Sequence, residues 1–193
     1  MPIIAGLDEV GRGCIAGPVI AAIVVFPEAA NPIRGLADSK KLTPRRRQEL
    51  ALAIETRAIA WSIGRAEVSE IDRLNILEAT FLAMRRAYDG LAVKPGFVFV
   101  DGNRLPGLAC AGRAVVRGDA LLPAVSAASI LAKVFRDREM AILDALFPGY
   151  GFALHKGYPT EGHRASLERL GSSPVHRRSF GPVKRLLDRS GWP

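Results

Sequence analysis

Pro2-Ile3-Ile4-Ala5-Gly6-Leu7, then Asp8-Glu9-Val10-Gly11-Arg12-Gly13, then Val19-Ile20-Ala21-Ala22-Ile23-Val24-Val25-Phe26 is the stretch from which the fold can be read. The first segment is short and apolar and the last is rich in β-branched residues, so both read as buried strands. Between them, two acids follow the first strand and a glycine-bracketed arginine opens a loop. Acids there suggest metal-binding carboxylates, and the glycines leave backbone open to phosphate and sugar. An Asp-Glu pair alone is most often a solvated turn, so the assignment depends on the rest of the chain.

Working outward, Ala58 to Val68 sets Ile59, Trp61 and Ile63 at period two, a third, half-exposed strand completing a meander. A helix begins near Thr43-Pro44, an N-cap followed by proline at the first helical position, and carries Leu50, Leu52 and Ile54 toward the core. A second helix runs from about Leu74 to Tyr88. Gly96 to Val100 is a compact strand ending on Asp101-Gly102-Asn103, and Ala114 to Val116 a shorter one ending near Arg117-Gly118-Asp119. The segment from Val125 to Phe147 has Ala127, Ile130, Leu131, Val134, Ile142 and Ala145 at helical spacing and stops at Pro148-Gly149. Pro159-Thr160 opens a further short helix, and Gly181-Pro182 leads into Val183 to Arg189 after a basic connector, His176-Arg177-Arg178.

A meander followed by alternating helix and strand gives an α/β layer with a mixed sheet. If the first and fourth strands are parallel neighbours, Asp8 and Asp101 emerge at one edge, where open α/β sheets bind ligands. The loop also satisfies a dinucleotide fingerprint as a bare string, Gly11-x-Gly13-x-x-Ala16. That reading fails because Gly17-Pro18 leads into a strand and not into a helix.

The chain has 193 residues, 49% of them hydrophobic, enough for one well-buried core, so residues 1–193 read as a single domain. A net charge of +8 suits a polyanionic partner such as nucleic acid. Cys14 and Cys110 are far apart, which gives no support to a zinc ribbon or a disulfide scaffold. The longest apolar run, Val19 to Phe26, is too short to span a bilayer. A cytoplasmic protein with no membrane partner is expected.

Asp8, Glu9, Asp101 and Asp119 form a possible oxygen-rich cluster that would repel itself unless cations neutralise it. Oxygen ligands favour Mg2+ or Mn2+, and two such ions about 3.5–4 Å apart suit phosphodiester cleavage. Equally, Asp101 and Asp119 can be strand-end turn residues.

In these ordered motifs, together with Asp38-Ser39-Lys40-Lys41-Leu42, Ser126 to Val134 and Gly157-Tyr158-Pro159, the chain resembles the type 2 ribonuclease H family, ribonuclease HII. Cys14, where proline is frequent, and Arg117, where lysine is usual, depart from the family pattern without removing a carboxylate. The resemblance implies an RNase H-like mixed β-sheet flanked by helices, with residues about 150–193 forming a small helical substrate-binding element. It implies an endoribonuclease that hydrolyses RNA in RNA–DNA hybrids and incises 5′ to single ribonucleotides in duplex DNA. It further implies that Asp8, Glu9, Asp101 and Asp119 are the catalytic, metal-binding set, and that the main chain of Gly11, Arg12 and Gly13 meets the 2′-hydroxyl.

For the remaining candidates two readings stand side by side. Lys40 and Lys41 are solvated lysines ahead of a helix cap or, following the family, phosphate contacts. Ser126, Ser129, Lys133 and Arg136 line a helix stripe opposite the apolar one, either a solvated face or a surface for phosphate. Tyr158 covers a core edge or, as the family implies, stacks at the RNA–DNA junction. His155 and His163 have no companion at metal spacing and His176 belongs to a basic run, so no histidine is assigned a catalytic role. A monomer is expected, and no protein partner is named. A DNA nuclease or resolvase of the same fold is the enzymatic alternative; a non-catalytic hybrid-binding module is the alternative of another class, disfavoured by the intact acids.

Overall fold

The computed structural model describes residues 3–26, 33–36, 39 and 42–190. Strands β1 (Ile4–Val10) and β2 (Val19–Phe26) are followed by helix α1 (Pro44–Arg57) and strand β3 (Ala60–Ala66). Helices α2 (Val68–Leu74) and α3 (Ile76–Asp89) precede β4 (Phe97–Asp101) and β5 (Ala111–Val115). The chain continues through α4 (Gly118–Leu121), the long α5 (Pro123–Leu146), α6 (Phe152–His155), α7 (Glu161–Leu170) and α8 (Gly181–Ser190). The strands form one sheet in the order β3-β2-β1-β4-β5. Pairing is antiparallel for β1 with β2 and β2 with β3, and parallel for β1 with β4 and β4 with β5. This is the mixed sheet that the sequence predicts.

Strand β2 explains why both faces of the sheet are covered. Its Val19, Ala21, Ile23 and Val25 pack with Ile71, Ala79, Ala83 and Met84 of α2 and α3. Its Ile20, Ala22, Val24 and Phe26 face the other way, onto Leu50 and Ile54 of α1 and Ile130, Leu131 and Val134 of α5. Alternation at period two thus feeds two cores from one strand, each large side chain contributing about 1.5–3 kcal/mol when fully buried. Glycine is required at position 6, where a Cβ would lie 2.1 Å from the Ala124 carbonyl carbon, so β1 can touch the start of α5 only without a side chain. Among the described residues no helix is long and apolar enough to cross a membrane.

Several elements differ from the sequence reading. Strand β1 runs on through Val10, because Asp8 and Glu9 still pair with Ala22 and Ala21 of β2 while the ladder to β4 reaches only Leu7 and Val100. The helix predicted from about Leu74 to Tyr88 is α3, which starts at Ile76 because the Asn75 side chain accepts the Leu77 and Glu78 N–H groups and caps it, while the short α2 before it is not predicted. The edge strand β5 is Ala111–Val115, earlier than predicted. Leu52 points away from the core with 66% of its surface exposed, since it lies on the face of α1 opposite Leu50 and Ile54. On α5, Ile142 and Ala145 are exposed and Met140 and Leu143 are buried, a turn of the apolar face the spacing did not distinguish.

The C-terminal segments pack around three histidines. Their rings surround Phe152: His155 and His163 are stacked 4.0 Å apart, and Phe152 meets both edge-on. Asp72 of α2 ties this region to the rest of the chain by accepting the Arg178 and Ser179 N–H groups and the Ser179 hydroxyl. His163 and His176 are buried, and desolvation, reinforced by neighbouring histidines, pulls each pKa down to about 4. In the unfolded chain each returns to about 6.5, so unfolding takes up protons between the two values. Stability is therefore complete above that window and falls as pH drops through it, by on the order of 3 kcal/mol per histidine at most. Urea midpoints at about pH 7, 5.5 and 4.5 should decline in that order; a constant midpoint would exclude a neutral buried pair.

Candidate active site

The parallel pairing of β1 and β4 brings Asp8 and Asp101 to the same edge of the sheet, one residue beyond the Leu7–Val100 pair. Asp8 is buried, and its pKa is raised well above the usual carboxylate range, first by desolvation and then by the charges of Glu9 and Asp101. The Ser129 hydroxyl and the Glu9 N–H, 2.7 Å from Asp8 Oδ1, oppose that rise. Glu9 is also raised by burial and by Asp101, while Arg12, 3.3 Å from its Oε1, pulls it down. Asp119 arrives from the neighbouring strand. After β5, Arg117 takes a left-handed conformation (φ 59°), an uncommon one for a residue with a side chain, and turns the chain into α4. The position of a Cβ on Gly118 lies 3.5 Å from Asp101 Oδ1, so the residue before Asp119 in the chain stands beside the Asp101 carboxyl.

Among the described residues no three carboxylate, cysteine or histidine side chains close on one point as a finished metal cage. The fit to a metal rests on donor chemistry: Glu9 and Asp101 both raise the Asp8 pKa and Asp101 raises that of Glu9, and divalent cations relieve that repulsion. Oxygen donors alone suit Mg2+ or Mn2+.

The glycine loop lies against the C-terminal segments. Ile15 donates to the Gly157 carbonyl at 2.9 Å, Gly17 to Val175 at 2.8 Å, and Arg177 N–H to Ile15 at 2.8 Å. The Tyr158 ring, 38% exposed, stands with its Cε1 4.0 Å from where a Cβ on Gly13 would be. Gly13 and Tyr158 therefore meet. Cys14 is buried with its thiol toward the Lys156 carbonyl at 3.4 Å, tying the same two segments together.

Two arginines hold this loop from beneath, and sequence reasoning missed both. Arg136 and Arg177 are 1% and 0% exposed, so Arg136 does not belong to a solvated stripe and Arg177 is no exposed connector. Arg177 donates to the Gly17 carbonyl from Nε and Nη2 and to the Arg12 carbonyl from Nη1, and Arg136 Nη2 donates to Ala16. A Cβ on Gly11, at φ 97°, would fall 2.2 Å from Arg136 Nε. Burial, then the charge of Arg136, lowers the Arg177 pKa to about 10. The period of α5 suggests a polar stripe, but only the packing reveals that Arg136, like Ser126 and Ser129, is buried.

The remaining candidates scatter around the acids. Ser129 is buried, its hydroxyl 2.9 Å from Ser39 Oγ and hydrogen-bonded to Asp8. Ser126 is buried and donates to the Asp119 carbonyl. Lys133 pairs with Asp137 at 2.6 Å, and Asp137 also lies 3.7 Å from Arg47. Lys40 and Lys41 lie outside the described residues. Arg47 donates to the Ser39 carbonyl at 2.8 Å and to the Leu42 carbonyl at 2.6 Å.

Comparison with known proteins follows the same lines. The family model for ribonuclease HII matches residues 5–183. Ribonuclease HII of Methylococcus capsulatus is 60% identical over 188 residues, 97% of this chain and 97% of that one. The Laribacter hongkongensis ribonuclease HII is 61% identical over 186 residues, 95% of this chain and 93% of its own. The crystal structure of the ribonuclease H2 from Pyrococcus horikoshii, 28% identical, superposes with a TM-score of 0.82 and covers 99% of this chain and 100% of that chain. A match over almost the whole chain, on a sheet that brings Asp8 and Asp101 to one edge, means that the chain belongs to the ribonuclease HII family.

Proposed function

We propose that this metal-dependent ribonuclease H cleaves RNA in RNA–DNA hybrids and incises 5′ to single ribonucleotides embedded in duplex DNA, leaving 3′-hydroxyl and 5′-phosphate ends. Family membership carries the coarser part, an endoribonuclease acting on RNA–DNA hybrids. One observation supports the finer part: the acids, the Gly11–Gly13 backbone and the Tyr158 ring gather at one end of the molecule, Tyr158 within 4.0 Å of the Cβ position on Gly13. A chemical centre, a surface for the 2′-hydroxyl and a stacking ring are what recognition of one ribonucleotide requires.

Asp8, Glu9, Asp101 and Asp119 are the residues that would hold two divalent ions, Mg2+ or Mn2+. Such ions, when bound, activate water and stabilise the leaving oxygen in phosphodiester hydrolysis. Ser129 orients Asp8, and Arg12 steadies Glu9. The glycine loop, held by Arg136 and Arg177, offers its main chain to the 2′-hydroxyl. Lys40, Lys41 and Lys133 would contact phosphates, Ser126 and Ser129 would complete the substrate-binding set, and residues about 150–193 would act as the substrate-binding element through Tyr158. The reading places the enzyme in the cytoplasm as a monomer.

Asp8→Asn, Glu9→Gln and Asp101→Asn should each slow cleavage by orders of magnitude while hybrid binding persists, because an amide weakens cation binding. Single-turnover assays in saturating Mg2+ or Mn2+ decide this, and near-normal cleavage by any variant removes that residue from the set. Replacing Lys40, Lys41 and Lys133 together with alanine should weaken binding to all sequences alike and make its salt dependence shallower, by about one counterion per lost contact. Unchanged affinity and slope would leave them solvated. Tyr158→Ala should slow incision at a single ribonucleotide more than Tyr158→Phe, since stacking needs the ring and not the hydroxyl. If alanine melts the protein while the folded fraction cleaves normally, the ring is a core-edge aromatic.

A further inference from the structure

The histidines beneath Tyr158 form a hydrogen-bonded chain whose direction is set by the backbone. The Ser173 N–H lies 3.0 Å from His176 Nδ1 and its hydroxyl 2.8 Å from the same atom, so Nδ1 is the acceptor and the ring proton sits on Nε2. At the far end, His163 Nδ1 is 2.8 Å from the Tyr158 carbonyl, which can only accept, so His163 carries its proton on Nδ1. That leaves His163 Nε2 free to accept from His176 Nε2, 3.1 Å away. Every donor meets an acceptor in one order only: Ser173 to His176, His176 to His163, His163 to the carbonyl of Tyr158.

The same turn is held from other sides. Tyr158 N–H donates to the His155 carbonyl at 3.0 Å, and Thr160 N–H donates to the Tyr158 carbonyl at 2.8 Å. His155, stacked on His163, donates from Nε2 to the Tyr150 carbonyl at 2.8 Å and accepts the Gly157 N–H on Nδ1 at 3.2 Å. His163 and His176 are buried, so neither meets substrate. They end on the peptide of Tyr158, whose ring lies beside Gly13.

We propose that His163 and His176 are positioning residues for substrate discrimination, their directional hydrogen-bond chain fixing the Tyr158 peptide so that its ring is set against Gly13 before a ribonucleotide junction arrives. The inference rests on the reading of Tyr158 as the stacking ring. Stacking demands orientation, and a ring held in place beforehand loses less freedom on binding.

Two measurements test this. In the unaltered protein, proton–nitrogen spectra of the imidazoles at neutral pH should show His163 protonated at Nδ1 and His176 at Nε2; the opposite tautomer at either ring, or a charged ring, overturns the proposal without any variant having to fold. The second is a cycle of single-turnover rates in saturating Mg2+ or Mn2+, comparing one-ribonucleotide duplexes with long hybrids. His163→Phe keeps the ring packing and removes the hydrogen bonds; it should lower the rate on the single ribonucleotide relative to the hybrid by about tenfold. His163→Asn, which keeps a donor near Nδ1, should recover most of the loss. Combined with Tyr158→Ala, His163→Phe should change the ratio no further. An equal loss with and without the Tyr158 ring, or asparagine no better than phenylalanine, overturns the positioning role. If Tyr158→Ala alone leaves the ratio unchanged, the stacking reading itself falls, and the proposal with it.

Discussion

Strand β1 is hydrogen-bonded on both sides, antiparallel to β2 and parallel to β4, and the chemistry at the sheet edge depends on this double pairing. A strand in the middle of a sheet that is covered on both faces takes its residues out of water, and Asp8 is carried along with them. The ladder to β4 ends one residue short of Asp8, so its carboxyl reaches the edge where Asp101 emerges while its backbone stays paired with β2. Burial and like charge then act in the same direction on Asp8, and oxygen-binding cations are the natural relief. The close contact of Gly6 with the start of α5 brings Ser129 to this edge as well.

A second constraint surrounds the glycine loop. Burying Arg136 and Arg177 is costly, and their hydrogen bonds to the carbonyls of Arg12, Ala16 and Gly17 offset that cost. With its carbonyls engaged from below and its ends joined to Gly157, Val175 and Arg177, the loop has little freedom. The helices after α5 are short, and small apolar clusters such as Ile15, Leu167 and Val183 bind them to this loop. Loop and C-terminal segments are thus one packed unit, which is why Tyr158 lies beside Gly13 although the two are far apart in sequence.

Much of this was legible in the residues. The β-branched run of β2, the Thr43-Pro44 start of α1 and the Thr160 cap of α7 carry their structure locally, through strand propensity and capping chemistry, and each forms where the sequence predicts. The order of meander and alternating elements was enough for a mixed sheet. Positions such as Leu52, Ile142 and Arg136 were read wrongly because hydrophobic or polar spacing names a face of a helix without saying what packs against it. Helix α2 went unread because it is only seven residues long and ends on the same Asn75 that caps α3.

By itself the sequence determined which acids follow which apolar runs, the glycines that permit close approach, the net charge and the ordered motifs that resemble one family. These are properties of residue type and local order, and the chain carries them unfolded. Only the tertiary structure decided that Ser129 serves Asp8, that two arginines support the glycine loop, and that His163 and His176 face each other at 3.1 Å beneath Tyr158. Nothing in the spacing of His163 and His176 announces a pair. Their protons are ordered by backbone groups of Ser173 and Tyr158, and those groups come into reach only when the chain packs and withdraws them from water.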